Sequence, residues 1–281
     1  MILADLMALT KPRITLLVLI TTAGGMWLAG PPPPLRLLLT LLGTALIVAG
    51  ANTLNMYLER DIDGKMARTR NRPLPAKRIG PELALGMGIA LGLTAIPLLT
   101  FGVNRLTGLL GTISLITYVL VYTPLKQHSS IALLVGAVPG AMPPLMGWTA
   151  VSGSLELPGL VLFGILFFWQ VPHFLAITLY RTEEYAGAGF KILAVERGVP
   201  AAKREIVLYL AGLWAVSLLL VPLGIAHTAY RIGAPLIGAA LLGFGAWGLR
   251  PSAGRVWARN FFFATLIYLT LLFTLLLVSG R

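Results

Sequence analysis

The sequence predicts an all-α membrane protein, a polytopic bundle of nine transmembrane helices. Three observations carry that expectation. Only 11% of the 281 residues are charged and 57% are hydrophobic, whereas a soluble domain carries about 25% charged residues. Nine runs of 18 to 29 residues contain no Asp, Glu, Lys or Arg, and about 20 apolar residues cross a bilayer as a helix. The basic residues also collect on alternate connections between these runs. A transmembrane β-barrel would instead show short segments of alternating polarity, and the sequence has none.

In chain order the runs are Ile14–Leu35, Leu37–Leu58, Leu83–Asn104, Leu106–Leu125, Gln127–Leu155, Leu157–Tyr180, Ile206–Tyr230, Ile232–Leu249 and Asn260–Gly280, together 203 residues. Pro31–Pro34 reads as a stiff external linker. Two connections are long, residues 59–81 and 181–205, and the others are short. With the N-terminus inside, 18 of the 22 basic residues fall on the cytoplasmic side, and Arg36, Arg105, Arg231 and Arg281 fall outside. Nine of the ten acids share that bias, with Glu156 the exception. This is the positive-inside pattern, and it predicts a multi-pass plasma (inner) membrane protein whose long loops are cytoplasmic. The net charge of +12 is therefore a topology and lipid-bilayer signal, and no nucleic acid partner is expected. The absence of cysteine excludes disulfides, zinc thiolates and thiol nucleophiles. Ile14 opens a long span with no cleavage pattern behind it, so no cleavable signal is expected. Glu59 and Glu183 lie 124 residues apart, as do Lys126 and Arg250. That offset predicts two parallel four-helix repeats followed by a ninth helix, within one domain over residues 1–281. Repeated bundles commonly place their ligand between the halves.

Chemistry-bearing residues crowd the cytoplasmic ends. Asn55, Glu59 and Asp63 are spaced by four, so a continuing helix sets them on one face, with Asp61 pointing elsewhere. Two carboxylates and an amide oxygen on one stripe suit Mg²⁺; a solvated helix end pairing with Arg60 and Lys65 is the other reading. Arg68, Arg70 and Arg72 follow at once. Acids succeeded by arginines suit a metal-bound anion such as a diphosphate, whose oxygens guanidinium forks bind bidentately. Contact with anionic lipid is the plainer alternative. Tyr122 and Lys126 follow the fourth run, and Tyr180-Arg181-Thr-Glu183-Glu184-Tyr185 follows the sixth, with Gly187, Gly189 and Lys191 beyond. Each set alone fits interfacial anchoring. Four sets on a single face read together as a diphosphate site lined by metal ligands and cations.

At these residues the sequence resembles a family. Asn55-x-x-x-Glu59-x-x-x-Asp63 is similar to the Asn-x-x-x-Asp-x-x-x-Asp motif of UbiA-type intramembrane prenyltransferases, and Tyr122-x-x-x-Lys126 to their Tyr-x-x-x-Lys element. Arg68–Leu74, Pro139–Trp148 and Trp169–Phe174 resemble the branch of that superfamily that farnesylates protohaem IX. The likeness runs from about Lys11 to Gly198. It departs from the family at Glu59, one methylene longer than aspartate, and at Ala188, where a second acidic motif has its last aspartate. The resemblance implies that farnesyl diphosphate alkylates a vinyl group of protohaem IX, that water adds, and that diphosphate leaves, giving haem O. It implies Mg²⁺ held by Asn55, Glu59, Asp63 and Glu184. Diphosphate would be held by Arg68, Arg72, Lys126, Arg181 and Lys191, and Asn55, Glu59, Asp63 and Lys126 would be catalytic.

His173 has two readings. Intramembrane ionisable groups are commonly functional. On an unbroken helix it would share a face with Glu184 about 16 Å away, as a haem ligand; Pro172 would spoil the alignment. The other reading is a hydrogen bond to a neighbouring helix. Two rival functions remain. A prenyltransferase using 4-hydroxybenzoate or another aromatic acceptor would differ only at Pro139–Trp148 and Trp169–Phe174. A two-repeat transporter would place charged groups near mid-membrane, and none of the nine runs contains one.

Overall fold

The computed structural model describes residues 2–279; Arg281, counted above on the external side, lies outside the described residues. A short helix α1 (Ile2–Leu9) precedes nine long ones. These are α2 (Pro12–Ala29), α3 (Pro34–Asp63), α4 (Pro81–Gly102), α5 (Arg105–Leu125), α6 (Ala132–Ser152) and α7 (Leu157–Tyr180). After two short helices, α8 (Thr182–Gly187) and α9 (Leu193–Glu196), come α10 (Val199–Leu218), α11 (Thr228–Trp247) and α12 (Arg255–Ser279). Prolines stand in the first turn of α2, α3, α4, α7 and α10, where a missing N–H costs nothing and the fixed φ favours helix.

The described residues are helical throughout their long elements, and eight of the nine long helices are long and apolar enough to cross a membrane. The expected ninth is altered. Its charge-free run was Ile206–Tyr230, but α10 starts earlier and ends at Leu218. Pro222 and Gly224, the latter at φ +71°, stop the helix. α10 therefore carries Lys203, Arg204 and Glu205 in its early turns. Lys203 is buried there and donates to the carbonyls of Ala253 (2.6 Å) and Arg250 (3.3 Å).

The helices form two rings. Contacts run α2–α3–α4–α5–α6 and back to α2, then α7–α10–α11–α12 and back to α7, with α6 against α7. The sequential neighbours of α2–α5 are thus repeated by α6, α7, α10 and α11, with α12 last, as two four-helix repeats and a final helix require. The rings differ in filling. Leu162, Ile165, Leu210, Leu213, Tyr230, Phe261 and Leu272 close the second into a solid core. The first is hollow, lined by apolar residues such as Ile14, Val18 and Ile47 below a polar end.

Close approach keeps the first ring narrow on one side. A side chain on Gly25 of α2 would overlap the carbonyl of Pro144 on α6, and one on Gly147 would overlap the carbonyl of Thr22. Two glycines thus let these backbones touch, the small-residue packing that membrane helices favour. α3, at 30 residues, is about 45 Å long against about 30 Å of hydrocarbon. Its last turns therefore carry Asn55, Glu59 and Asp63 out to the polar edge of the chamber.

Candidate active site

The hollow of the first ring is a chamber of about 420 Å³ walled by α2, α3, α5, α6 and α7, with residues of the two long loops at its polar end. Its polar end holds the acid stripe. Asn55, Glu59 and Asp63 are 2%, 5% and 3% exposed and all line the chamber, whereas Asp61 is exposed. α3 runs unbroken to Asp63, so the four-residue spacing puts the three on one face.

Each acid meets a cation from another element. Glu59 forms an ion pair with Lys126, and Arg72 Nη1 donates to Asp63 Oδ2 at 2.7 Å. Two nearly buried carboxylates need such partners, because an unpaired buried charge is strongly destabilising. Asn55 Nδ2 donates to Thr123 Oγ1 (3.1 Å), and Lys11 Nζ donates to Asn55 Oδ1 (3.3 Å). Burial, with the charges of Arg72 and Lys126 close by, pulls the Lys11 ammonium down to about 8. Arg68 donates to the Tyr185 hydroxyl at 3.3 Å.

A π-helical stretch, Thr117–Tyr122, sets the position of Lys126. Pro124 has no N–H for the carbonyl of Leu120, and Thr123 bonds back to the carbonyl of Tyr118 through both N–H and hydroxyl. The extra residue in that turn brings Tyr122, Thr123 and Lys126 to the acid stripe. Lys126 Nζ stands 4.5 Å from the centre of the Tyr122 ring. Its carbonyl accepts from the Lys191 N–H at 3.0 Å, which brings Lys191 and Phe190 onto the wall.

Three expected site residues are not brought to this chamber. Arg181 and Glu184 pair with each other at 2.8 Å beside the wall, not on it. The helix ends at Tyr180, where the sixth charge-free run ends, and breaks at Arg181 between α7 and α8, so Glu184 does not continue the face of His173. Of the two readings of His173, the structure shows the hydrogen bond to a neighbouring helix: its Nδ1 lies 2.7 Å from Thr265 Oγ1 of α12, with the ring against Trp169 and Phe262. It packs the second ring and does not line the chamber.

No cluster of three or more His, Cys, Asp or Glu occurs among the described residues. The donor set Asn55, Glu59 and Asp63 still fits Mg²⁺, which is usually held by one or two carboxylates with substrate phosphates and water completing its shell. Sequence reasoning gave no site role to Lys11 or Asn52, and it carried Thr123 and Gln170 only within the Tyr122–Lys126 and Trp169–Phe174 stretches, without a role of their own.

The chain belongs to the UbiA prenyltransferase family, whose model matches residues 18–267. It is 50% identical over 280 residues to a protoheme IX farnesyltransferase of Sorangium cellulosum, covering 94% of this chain and all of that one. A protein of the same name from Anaeromyxobacter dehalogenans is 54% identical over 278 residues, with 99% of this chain and 94% of that one covered. Among solved structures, digeranylgeranylglyceryl phosphate synthase shares the fold at a TM-score of 0.86 and 17% identity, covering 99% of this chain and 98% of that one. A UbiA homologue from Archaeoglobus fulgidus bound to GPP and Mg²⁺ follows at 0.69 and 17%, covering 97% and 99%.

Proposed function

We propose that this chain, as a single prenyltransferase domain, transfers the farnesyl group of farnesyl diphosphate to a vinyl group of protohaem IX. Water adds to the product, giving haem O and free diphosphate. One observation carries the reading: a buried acid stripe matched to cations stands at the mouth of an apolar chamber within the membrane. The 50% and 54% identities over nearly whole chains to proteins named protoheme IX farnesyltransferase select the acceptor.

The residues divide the work by depth. Asn55, Glu59 and Asp63 would hold Mg²⁺, which when bound neutralises charge building on the departing diphosphate. Lys11, Arg68, Arg72, Lys126 and Lys191 face the same oxygens and stabilise that charge from fixed positions, where electrostatic catalysis contributes most. Below them, Ile14, Val18, Ile47, Val48 and Met146 line the chamber and suit a farnesyl chain and an apolar macrocycle. Such a wall keeps bulk water from the allylic cation. Substrates of this kind enter from the bilayer. The positive-inside pattern supports an inner-membrane protein with the diphosphate end of the chamber facing the cytoplasm.

The test is mass analysis of haem extracted after incubating purified protein with protohaem, farnesyl diphosphate and Mg²⁺. A haem bearing a hydroxyethylfarnesyl group is expected, and chelating Mg²⁺ should stop its formation. Transfer to 4-hydroxybenzoate with none to haem would overturn the acceptor. Turnover unaffected by chelation would overturn the metal.

A further inference from the structure

Deep in the chamber lies a polar cluster that the diphosphate chemistry does not use. Gln170 of α7 is 8% exposed and lines the chamber together with Asn52, Ser114, Pro139 and Gly140. It lies ten residues before Tyr180, about 15 Å below the cytoplasmic end of its helix. Both donors of its amide are occupied, by the carbonyls of Ala137 (3.3 Å) and Leu166 (3.1 Å). They fix the amide so that Oε1 lies over Gly140, where any side chain would overlap it. Among the described residues no donor reaches Oε1.

The facing helix adds acceptors. Pro143 and Pro144 have no N–H, so the carbonyls of Pro139 and Gly140 lack their regular helical donors. Ser114 Oγ reaches the Pro139 carbonyl only at 3.4 Å. At membrane depth such groups persist where protein or a water-lined cavity satisfies them. A cavity wall offering several acceptors and no free cation suits a water molecule, which needs two to four polar partners.

We propose that Gln170 Oε1 holds and orients the water that completes the transfer. The inference rests on the haem-farnesylating reading above and deepens it. The farnesyl C1–O bond breaks with its electron pair leaving on diphosphate. The vinyl π pair forms the new carbon–carbon bond at its terminal carbon, leaving a cation on the carbon attached to the porphyrin. Water attacks that carbon through its oxygen lone pair, and its proton passes to the released diphosphate. An amide oxygen cannot take the proton, but by accepting one water hydrogen it aims the lone pair at the cation. Without that placement the cation loses a proton from the neighbouring methylene, and the product is an alkene one water lighter. Gln170 is thus a water-positioning residue that decides between hydroxyl and alkene.

The test compares wild type with Gln170→Met, and with Gly140→Ala, whose methyl displaces Oε1 while the glutamine stays. Products are weighed after turnover in isotopically labelled water. In wild type the haem hydroxyl should carry the label. Both variants should still form the carbon–carbon bond, with the alkene-to-alcohol ratio raised by about tenfold or more. An unchanged ratio in both variants overturns the proposal, as does an unlabelled hydroxyl. Loss of transfer without alkene also overturns it, because bond formation should not need Gln170. Wild-type protein that transfers nothing to haem removes the haem reading itself, a result distinct from all of these.

Discussion

At the residue scale, the acid stripe and its cations act as one unit, two carboxylates among five basic residues. Changing Asn55, Glu59 or Asp63 to Ala should reduce transfer by about 100-fold or more, as should Lys126→Met. Asp61→Ala should cost little, since Asp61 is exposed on the far side of the same turn. Steady-state rates on protein checked for intact folding decide this, and equal losses at 61 and 63 would reject the stripe. His173 gives the opposite contrast. Because its ring serves α12 and not the chamber, His173→Ala should leave the Soret band of bound haem unchanged. It should lower stability by about 1–3 kcal/mol through the lost hydrogen bond to Thr265, whose hydroxyl keeps the Phe262 carbonyl, and through the lost ring contacts. A shifted Soret band would return His173 to the iron.

At the element scale, the α2–α6 crossing holds the chamber to its width. Gly25→Ala and Gly147→Ala force backbone against side chain, and each should destabilise the protein by about 1–3 kcal/mol. Gly24→Ala is the matched control, since a Cβ there meets nothing within 4 Å. Thermal unfolding in detergent reads the difference, and three equal midpoints would show that this contact does not limit packing. The local pattern of α3 was legible in advance because a helical face depends only on spacing along one chain segment. α5 was less so. Its π-helical turn follows from Pro124 acting on a carbonyl four residues back, and a charge-free run does not register that effect.

At the scale of the whole molecule, the proposed orientation rests on the distribution of charge. Since the chain has no cysteine, Lys65→Cys and Ser154→Cys give clean single labels on opposite sides. A membrane-impermeant thiol reagent should label position 154, and not 65, from outside intact cells. Labelling of 65 from outside would invert the proposed topology. The two rings also differ in a way the repeat does not foretell. Corresponding helices make corresponding contacts, yet Tyr230 and Phe261 fill the second ring completely while the first keeps a chamber.

Hydropathy and charge along the chain determined the membrane class, nearly all the spans, the two long loops and the face on which the chemistry gathers. Those properties are sums or periods over neighbouring residues, so no partner is needed to read them. α10 escaped because its early turns carry charges, of which the buried Lys203 is held by the Arg250 and Ala253 carbonyls. The tertiary structure alone decided which polar residues share the chamber. It admits Lys11 and Gln170 and excludes Arg181, Glu184 and His173. Where a side chain points depends on helices far away in sequence, such as α12 for His173 and α5 for Asn55, which no pattern within one segment records.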